Sequence, residues 1–335
     1  AAAGVLAACL IVAAPARVER AAMSLPTAGD RFAAFRHAAY TRFFLARFFS
    51  AFAIQIVSVS VGWQMYDETR NPLYLGLIGL FQFLPSLLLI LVTGTVADRY
   101  NRRMIVAACL VVGGGCCAAL LGITIAHAFS PVLVFCILVV FGIERAFMGP
   151  AVQSLGPNLV PAEDLPNAVA WNSSSWQTAS ILGPVMGGLL YGASATAAYS
   201  VAFLLMVVSG ILVFMIPKPA QRSSASKVSW EQILAGFRFI RHETVVLGAI
   251  SLDLFAVLLG GAVALMPIFA RDVLELGPWG LGLLRAGPGV GAIVVAIWLA
   301  FHPIRHRAGL AMFIGVALFG LGTLIFGLSA TPWLC

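Results

Sequence analysis

Nine apolar runs follow one another along this chain, near Phe43–Trp63, Leu73–Ala97, Met104–Ala126, Pro131–Ser154, Ala168–Tyr191, Ala197–Ile216, Val245–Ala270, Trp279–Phe301 and Ala308–Leu328. Each is about the 20 residues that a helix needs to cross the hydrocarbon core of a bilayer. In lipid a backbone must satisfy its own hydrogen bonds, which leaves helices or closed barrels, and barrels show weak alternation rather than continuous apolar runs. An all-α membrane protein is therefore expected. Composition agrees: 61% of the residues are hydrophobic and 10% charged, where a soluble domain carries about 25% charged residues.

The net charge of +7 is explained by where it sits. With the amino terminus in the cytoplasm, the inner segments hold Arg31, Arg36, Arg42 and Arg47, then Arg99, Arg102 and Arg103, then Lys218, Arg222, Lys227, Arg238 and Arg241, then Arg305 and Arg307. The outer segments hold Arg70 and Arg271. Such an imbalance is the positive-inside pattern, and it sets the expected orientation without any appeal to nucleic acid. Trp63, Trp279 and Trp333 then fall at outer span ends, and Trp171, Trp176, Trp230 and Trp298 near inner ones, as an aromatic belt requires.

Residues Val5–Ala14 followed by Ala-Pro-Ala resemble a secretory signal, but no basic segment precedes them. Cleavage there would also place the Arg-rich stretch Arg31–Arg47 outside. A start at Met23 fits better, with residues 1–30 a disordered leader or a gene-model extension. Residues 31–216 are expected to form a six-helix half, 217–243 a cytoplasmic linker, and 244–335 a partial second half of three helices. Within the linker, Trp230, Ile233, Leu234, Phe237 and Ile240 recur at helical spacing opposite Glu231, Arg238 and Arg241, the pattern of a helix lying in the membrane interface. Of the six cysteines, four lie inside runs and none forms a C-x-x-C pair, so neither a disulfide nor a metal site is expected.

A shift of 203 positions lays Gly79 on Gly282, Pro85 on Pro288 and Arg102 on Arg305. The second and eighth runs are thus counterparts in two parallel halves. The loop GTVADRYNRR, the segments FRHAAYTRFFLARFFS and GWQMYDETRNPLYLGLIGLFQFLP, the later NLVPAEDLPNAVAWNSSSWQTASILGPVMGGLL and the linker WEQILAGFRFIRHE together resemble the major facilitator superfamily, in its bacterial group of enterobactin exporters and proton-driven drug antiporters. That resemblance covers Phe32 to Ser329 and implies twelve spans, of which this sequence would carry nine. It implies a carrier of the bacterial inner membrane, monomeric, with the lipid bilayer and a small molecule as its partners.

The resemblance also implies roles for two motifs. Gly94, Asp98, Arg99, Arg102 and Arg103 match a gating loop whose acid latches the two halves against span 11; the other reading of the arginines is that they anchor the loop among headgroups. Gly183, Pro184, Gly187 and Gly188 match an antiporter-type motif, with Gly287, Pro288, Gly289 and Gly291 as a matching surface on the eighth run. Ordinary packing of small residues between membrane helices is the alternative.

Four ionisable residues lie within runs: Glu144, Arg145, Asp253 and Arg285. A charge at the bilayer centre costs about 3 kcal/mol on insertion scales, so each is expected to face the bundle interior. They are the proton-coupling candidates, Glu144 and Asp253 as carriers and Arg145 tuning one of them; structural ion pairs or snorkelling charges are the alternative. Adjacent residues point about 100° apart, so Glu144 and Arg145 are not expected to share one target. Arg145 and Gly149 also resemble the family's R-x-x-Q-G motif, with Met148 in the Gln position. Gln55, Gln82, Gln153, Gln177 and Ser180, together with Gln64 and Ser173, could line a cavity or glue helices together.

No P-loop, H-E-x-x-H or G-x-S-x-G occurs, so no enzyme and no cofactor are expected; the driving force would be a proton gradient. The expected function is proton-coupled efflux of a small amphiphilic molecule of drug or siderophore type. A proton-coupled importer and a non-transporting fragment or scaffold are the alternatives.

Overall fold

The computed structural model describes residues 31–217, 241–259, 261–302, 308–329 and 331. The expected leader and the linker helix around Trp230 lie outside the described residues. The first six runs form α1 (Ala38–Thr69), α2 (Pro72–Arg99), α3 (Arg102–Ile125), α4 (Pro131–Leu155), α5 (Leu165–Ala193) and α6 (Ala195–Phe214). The seventh run is α7 (Thr244–Leu259) and α8 (Ala262–Ile268), followed by a π-helical turn, Phe269–Val273. The last two runs are α9 (Pro278–Phe301) and α10 (Ala308–Leu328).

Seven described helices, α1 to α4, α6, α9 and α10, are long and apolar enough to cross a bilayer. The fifth and seventh of the expected nine runs are not among them. α5 has 29 residues, but Asn172 to Ser175, Gln177 and Thr178 dilute its apolar character. The seventh run is described as two pieces, α7 of 16 residues and α8 of 7.

The turns explain where the helices begin. Asn71 caps α2 by accepting from Leu73 N at 3.0 Å, with Pro72 at the first helical position, where it gives up no intrahelical donor. Asn101 caps α3 through Arg103 N at 3.0 Å, and Ser194 caps α6 through Thr196 N at 3.2 Å. α1 ends on Arg70, whose left-handed φ of 53° closes a tight corner into α2.

The principal packing pairs of the six-helix part are α1 with α5 and α6, α4 with α2 and α3, and α3 with α6. Exchanging α1 with α4, α2 with α5 and α3 with α6 maps this set onto itself. That is the signature of two inverted three-helix repeats within one half. Tyr40, Phe43, Ile56, Met65, Leu120, Leu138, Leu155, Tyr199 and Met206 are fully buried at its centre. Leu84, Leu87, Leu88 and Ile90 on α2, Val111 and Val112 on α3, and Leu204 and Ile211 on α6 are exposed, an apolar surface that lipid would cover.

Two compact units result. One joins Asp30–Ser226 to Ala264–Ala286, so the tip of the seventh run and the start of α9 pack with the six-helix part. In the other unit, α7 packs against α10.

Candidate functional site

Within the larger unit we call the end at which the chain enters α1 the near end and the opposite end the far end. Glu144 on α4 is 5% exposed. Its carboxyl carbon lies 3.9 Å from the position a Cβ on Gly113 of α3 would take, beside the Met206 side chain of α6. No ion pair to it forms among the described residues. One turn further along α4, Met148 joins Phe43, Ala46, Arg47, Ser50, Val106, Leu110 and Val213 in enclosing a cavity of about 10 Å³, room for about one water. Arg47 Nε is buried without a hydrogen-bond partner. Arg47 was expected in an inner polar segment with Arg42; it instead stands ten residues inside the helix-forming stretch, because α1 begins at Ala38.

Arg145 takes the other side of α4. It lines a cleft of about 330 Å³ with Ser86, Ile90, Thr93, Gly94, Ala146 and Pro150, within the size range of small-molecule sites. The 100° between neighbours on a helix thus sends Glu144 toward α3 and α6 and Arg145 toward α2. α2 and α4 cross closely at Gly142, where a Cβ would stand 2.6 Å from Gln82 O and 3.1 Å from Pro85 Cγ. Ser86 Oγ donates to Gly142 O at 2.9 Å across the same crossing. Gly94 and Arg145, which belong to separate motifs, therefore share one cleft.

The loop arginines have definite partners. Arg102 donates from Nη1 to Ser154 O at 3.3 Å and from Nε to Ala97 O at 3.4 Å. Arg103 Nη1 donates to Ile216 O, and Arg42 Nη1 donates to Met215 O at 2.8 Å. α2, α4 and α6 all run toward the near end, so their unsatisfied carbonyls and negative dipole ends collect there, and guanidinium groups answer both. Arg99 is exposed in the last turn of α2. The side chain of Asp98 lies outside the described residues.

The glycine motif on α5 is a contact surface. A Cβ on Gly183 would stand 2.6 Å from Gln55 Cβ, and one on Gly187 would stand 3.0 Å from Ile56 Cα, so α5 lies directly on α1. On the other side a Cβ on Gly188 would stand 2.5 Å from Pro278 O, and one on Gly282 would stand 2.5 Å from Pro184 O. Within this unit the close approach on the eighth run is therefore made by Pro278 and Gly282, more than a turn before the expected surface that starts at Gly287.

At the far end Asp67 pairs with Arg271, Tyr66 donates its hydroxyl to Asp272, and Arg70 lies 3.7 Å from Asp272 and 3.9 Å from Asp67. Arg271 also covers the Trp63 ring at 5.5 Å. Arg70, Arg271 and Trp63 were expected at outer span ends; Tyr66, Asp67 and Asp272 were not singled out in the sequence, where they read as unremarkable polar residues. Deeper in the same unit, Arg285 Nη1 donates to Ser58 Oγ at 2.8 Å, and its Nη2 lies 3.2 Å from where a Cβ on Gly62 would stand.

The polar candidates divide. Tyr199 donates to Gln64 Oε1 at 2.6 Å in the core, joining α6 to α1. Ser180 bonds to Gln177 O on its own helix at 2.8 Å. Gln55 and Gln82 are half-buried at helix crossings, Gln177 is half-buried, and Gln153 and Ser173 are exposed. Asp253 is half-buried on α7 in the other unit.

Residues 29–335 match the transmembrane secretion effector family of major facilitator (MFS) proteins. The chain belongs to that family. It is 23% identical over 315 residues to the MFS-type transporter YkuC of Bacillus subtilis, covering 89% of this chain and 73% of that protein. It is 26% identical over 301 residues to the enterobactin exporter EntS of Shigella boydii, covering 85% of this chain and 70% of the exporter. Among solved structures it is similar to a bacterial homologue of the lysosomal transporter Spinster in an inward-facing, unoccupied conformation, with a TM-score of 0.61 and 17% identity. That match covers 82% of this chain and 64% of the other. A nucleoside transporter, NupG, matches with a TM-score of 0.51 and 14% identity over 78% of this chain and 66% of that one. The chain thus spans slightly less than two thirds of the solved carriers it resembles. These likenesses establish a multi-pass helical membrane protein of the major facilitator type.

Proposed function

We propose that this chain forms the core of a secondary transporter of the bacterial inner membrane that exports a small amphiphilic molecule in exchange for protons, its amino terminus and near end in the cytoplasm. Family membership and the exporter among its relatives support the direction and the class of cargo. The observation that carries the coupling is Glu144, a carboxyl buried among α3, α4 and α6 in a bundle with an apolar outer surface. Taking up a proton removes a charge from the interior of that bundle, and releasing it restores one, so its protonation can bias which of two packings is preferred. Asp253 is the second proton carrier in this reading. The two halves would rock around a midplane site, and Asp98, one turn beyond the Gly94 that shares a cleft with Arg145, would latch them in the outward-open state.

Inside-out vesicles with an imposed acid lumen test the reading. A fluorescent amphiphile such as ethidium should accumulate in vesicles carrying the chain and not in vesicles without it. Glu144→Gln should abolish accumulation driven by the gradient while leaving downhill equilibration intact. Wild-type accumulation in Glu144→Gln would remove the coupling role. Asp98→Asn should slow accumulation with unchanged membrane insertion, and an unchanged rate would remove the latch.

A further inference from the structure

The larger unit holds three far-side arginines that differ in how their charge is answered. Arg70 and Arg271 stand at the rim, and Asp67 and Asp272 pair with them. Arg285 stands seven residues into α9, and its guanidinium meets α1 at Ser58 and Gly62, eleven and seven residues short of Thr69. At 1.5 Å per residue those contacts lie about 10–16 Å below the end of α1, and about 2–8 Å below Trp63, which closes the first apolar run. The head group therefore lies below the rim pairs, turned to α1. Among the described residues Ser58 is its hydrogen-bond partner, no carboxylate pairs with it, and its Nε is buried with no partner at all. Gly62 leaves the space in which the guanidinium lies, since a Cβ there would press on Nη2.

A guanidinium offers five donors, and Nη1 gives one to Ser58. Nε, which has no partner, belongs to the Nε and Nη2 edge that matches the two oxygens of a planar anion side-on. We propose that Arg285, set between Ser58 and Gly62, is the seat for the anionic group of the cargo, so that the preferred substrates are amphiphiles carrying a carboxylate or a comparable acidic oxygen pair. The inference rests on the carrier reading above and names the substrate class that the carrier selects. It moves Arg285 from proton coupling to cargo recognition.

Binding to the purified full chain in lipid nanodiscs tests the seat without requiring transport, with pyrenebutyrate and its neutral relative pyrenebutyramide as probes and tryptophan quenching as the readout. The wild type should bind the anion at least about tenfold more tightly, the scale of one charge-assisted hydrogen bond. Arg285→Gln should bring the anion down to the affinity of the amide and leave the amide unchanged, and Arg285→Lys should recover part of the preference. Ser58→Asp, which supplies an internal counter-ion and needs no loss of the cation, should also erase the preference while amide binding persists. A preference surviving in either Arg285→Gln or Ser58→Asp, or absent from the wild type, overturns the seat. The preference should be equal in phosphatidylcholine and phosphatidylglycerol discs; its disappearance in phosphatidylglycerol would make the occupant a lipid phosphate and overturn the cargo assignment. Anion preference without proton-driven accumulation would sink the carrier reading alone, and accumulation of neutral and anionic probes alike would sink the seat alone.

Discussion

At the near end, Arg42, Arg102 and Arg103 direct their guanidinium groups to backbone carbonyls where α2, α4 and α6 finish, whereas at the far end Arg70 and Arg271 meet the carboxylates of Asp67 and Asp272. The near-end bonds are all internal to the six-helix part and tie its own helices to one another. The far-end pairs cross instead to a segment that lies two hundred residues later in the chain. Neutral acceptors hold an arginine in place without needing an opposing charge from elsewhere, so the near end is complete within its own half. Carboxylate partners make the far end depend on two separate segments staying together. The same residue type thus serves as a helix terminator in one place and as a clasp in the other.

Four substitutions break or sharpen that contrast, in decreasing order of effect. Gly188→Leu drives a side chain into Pro278 O, where even a Cβ would stand at 2.5 Å, and should lower the stability of the purified chain by about 1–3 kcal/mol; Gly192→Ala, which meets nothing within 4 Å, is the control and should leave the melting midpoint in place. Asp67→Arg sets a third cation against Arg70 and Arg271. With the Asp67 and Arg271 side chains 38% and 24% exposed, solvent screening holds the cost to about 1–2 kcal/mol, and the exchanged pair Asp67→Arg with Arg271→Asp should recover most of it. Failure of the exchange to rescue would mean that the clasp does not act as a pair.

Arg103→Ala removes a carbonyl partner from the end of α6 and should cost about 0.3–1 kcal/mol. The loss should appear in neutral detergent as well as in anionic lipid, whereas a residue that only anchors headgroups would show it in anionic lipid alone. Arg99→Gln, at an exposed position in the same loop, should stay within about 0.5 kcal/mol of wild type. A drop as large as that of Arg103→Ala would erase the distinction between capping and solvated arginines.

Helix positions and the family were legible in the sequence because lipid imposes a length and an apolarity that a run of residues displays directly. For Gly183, Gly187 and Gly188 the sequence left open an antiporter-type motif and ordinary packing of small residues, and the close approaches to α1 and Pro278 are compatible with both. The angular argument for Glu144 and Arg145 also survives, since it needs nothing beyond helix geometry. What the sequence concealed is long-range pairing. Nothing local marks Asp67 as the partner of Arg271, because 204 residues separate them and neither belongs to a periodic pattern. The arginines of the loop looked like anchors or latch parts, since their capping role follows only when three helix ends are known to converge beside them. Gln64 illustrates the remaining ambiguity: cavity wall and interhelical tie demand the same side chain, and Tyr199 decides for the tie.

The π-helical turn at Phe269–Val273 carries one surplus residue relative to an α-helical path, with Leu274 N reaching back to Phe269 O at 2.9 Å. One residue rotates everything beyond it by about 100°, so chain length rather than side-chain identity aims Arg271 and Asp272 at the tip of α1. Deleting Ala270 from the turn would leave both charges present yet facing away from Asp67 and Tyr66, a mutant with every charge retained and a disconnected rim.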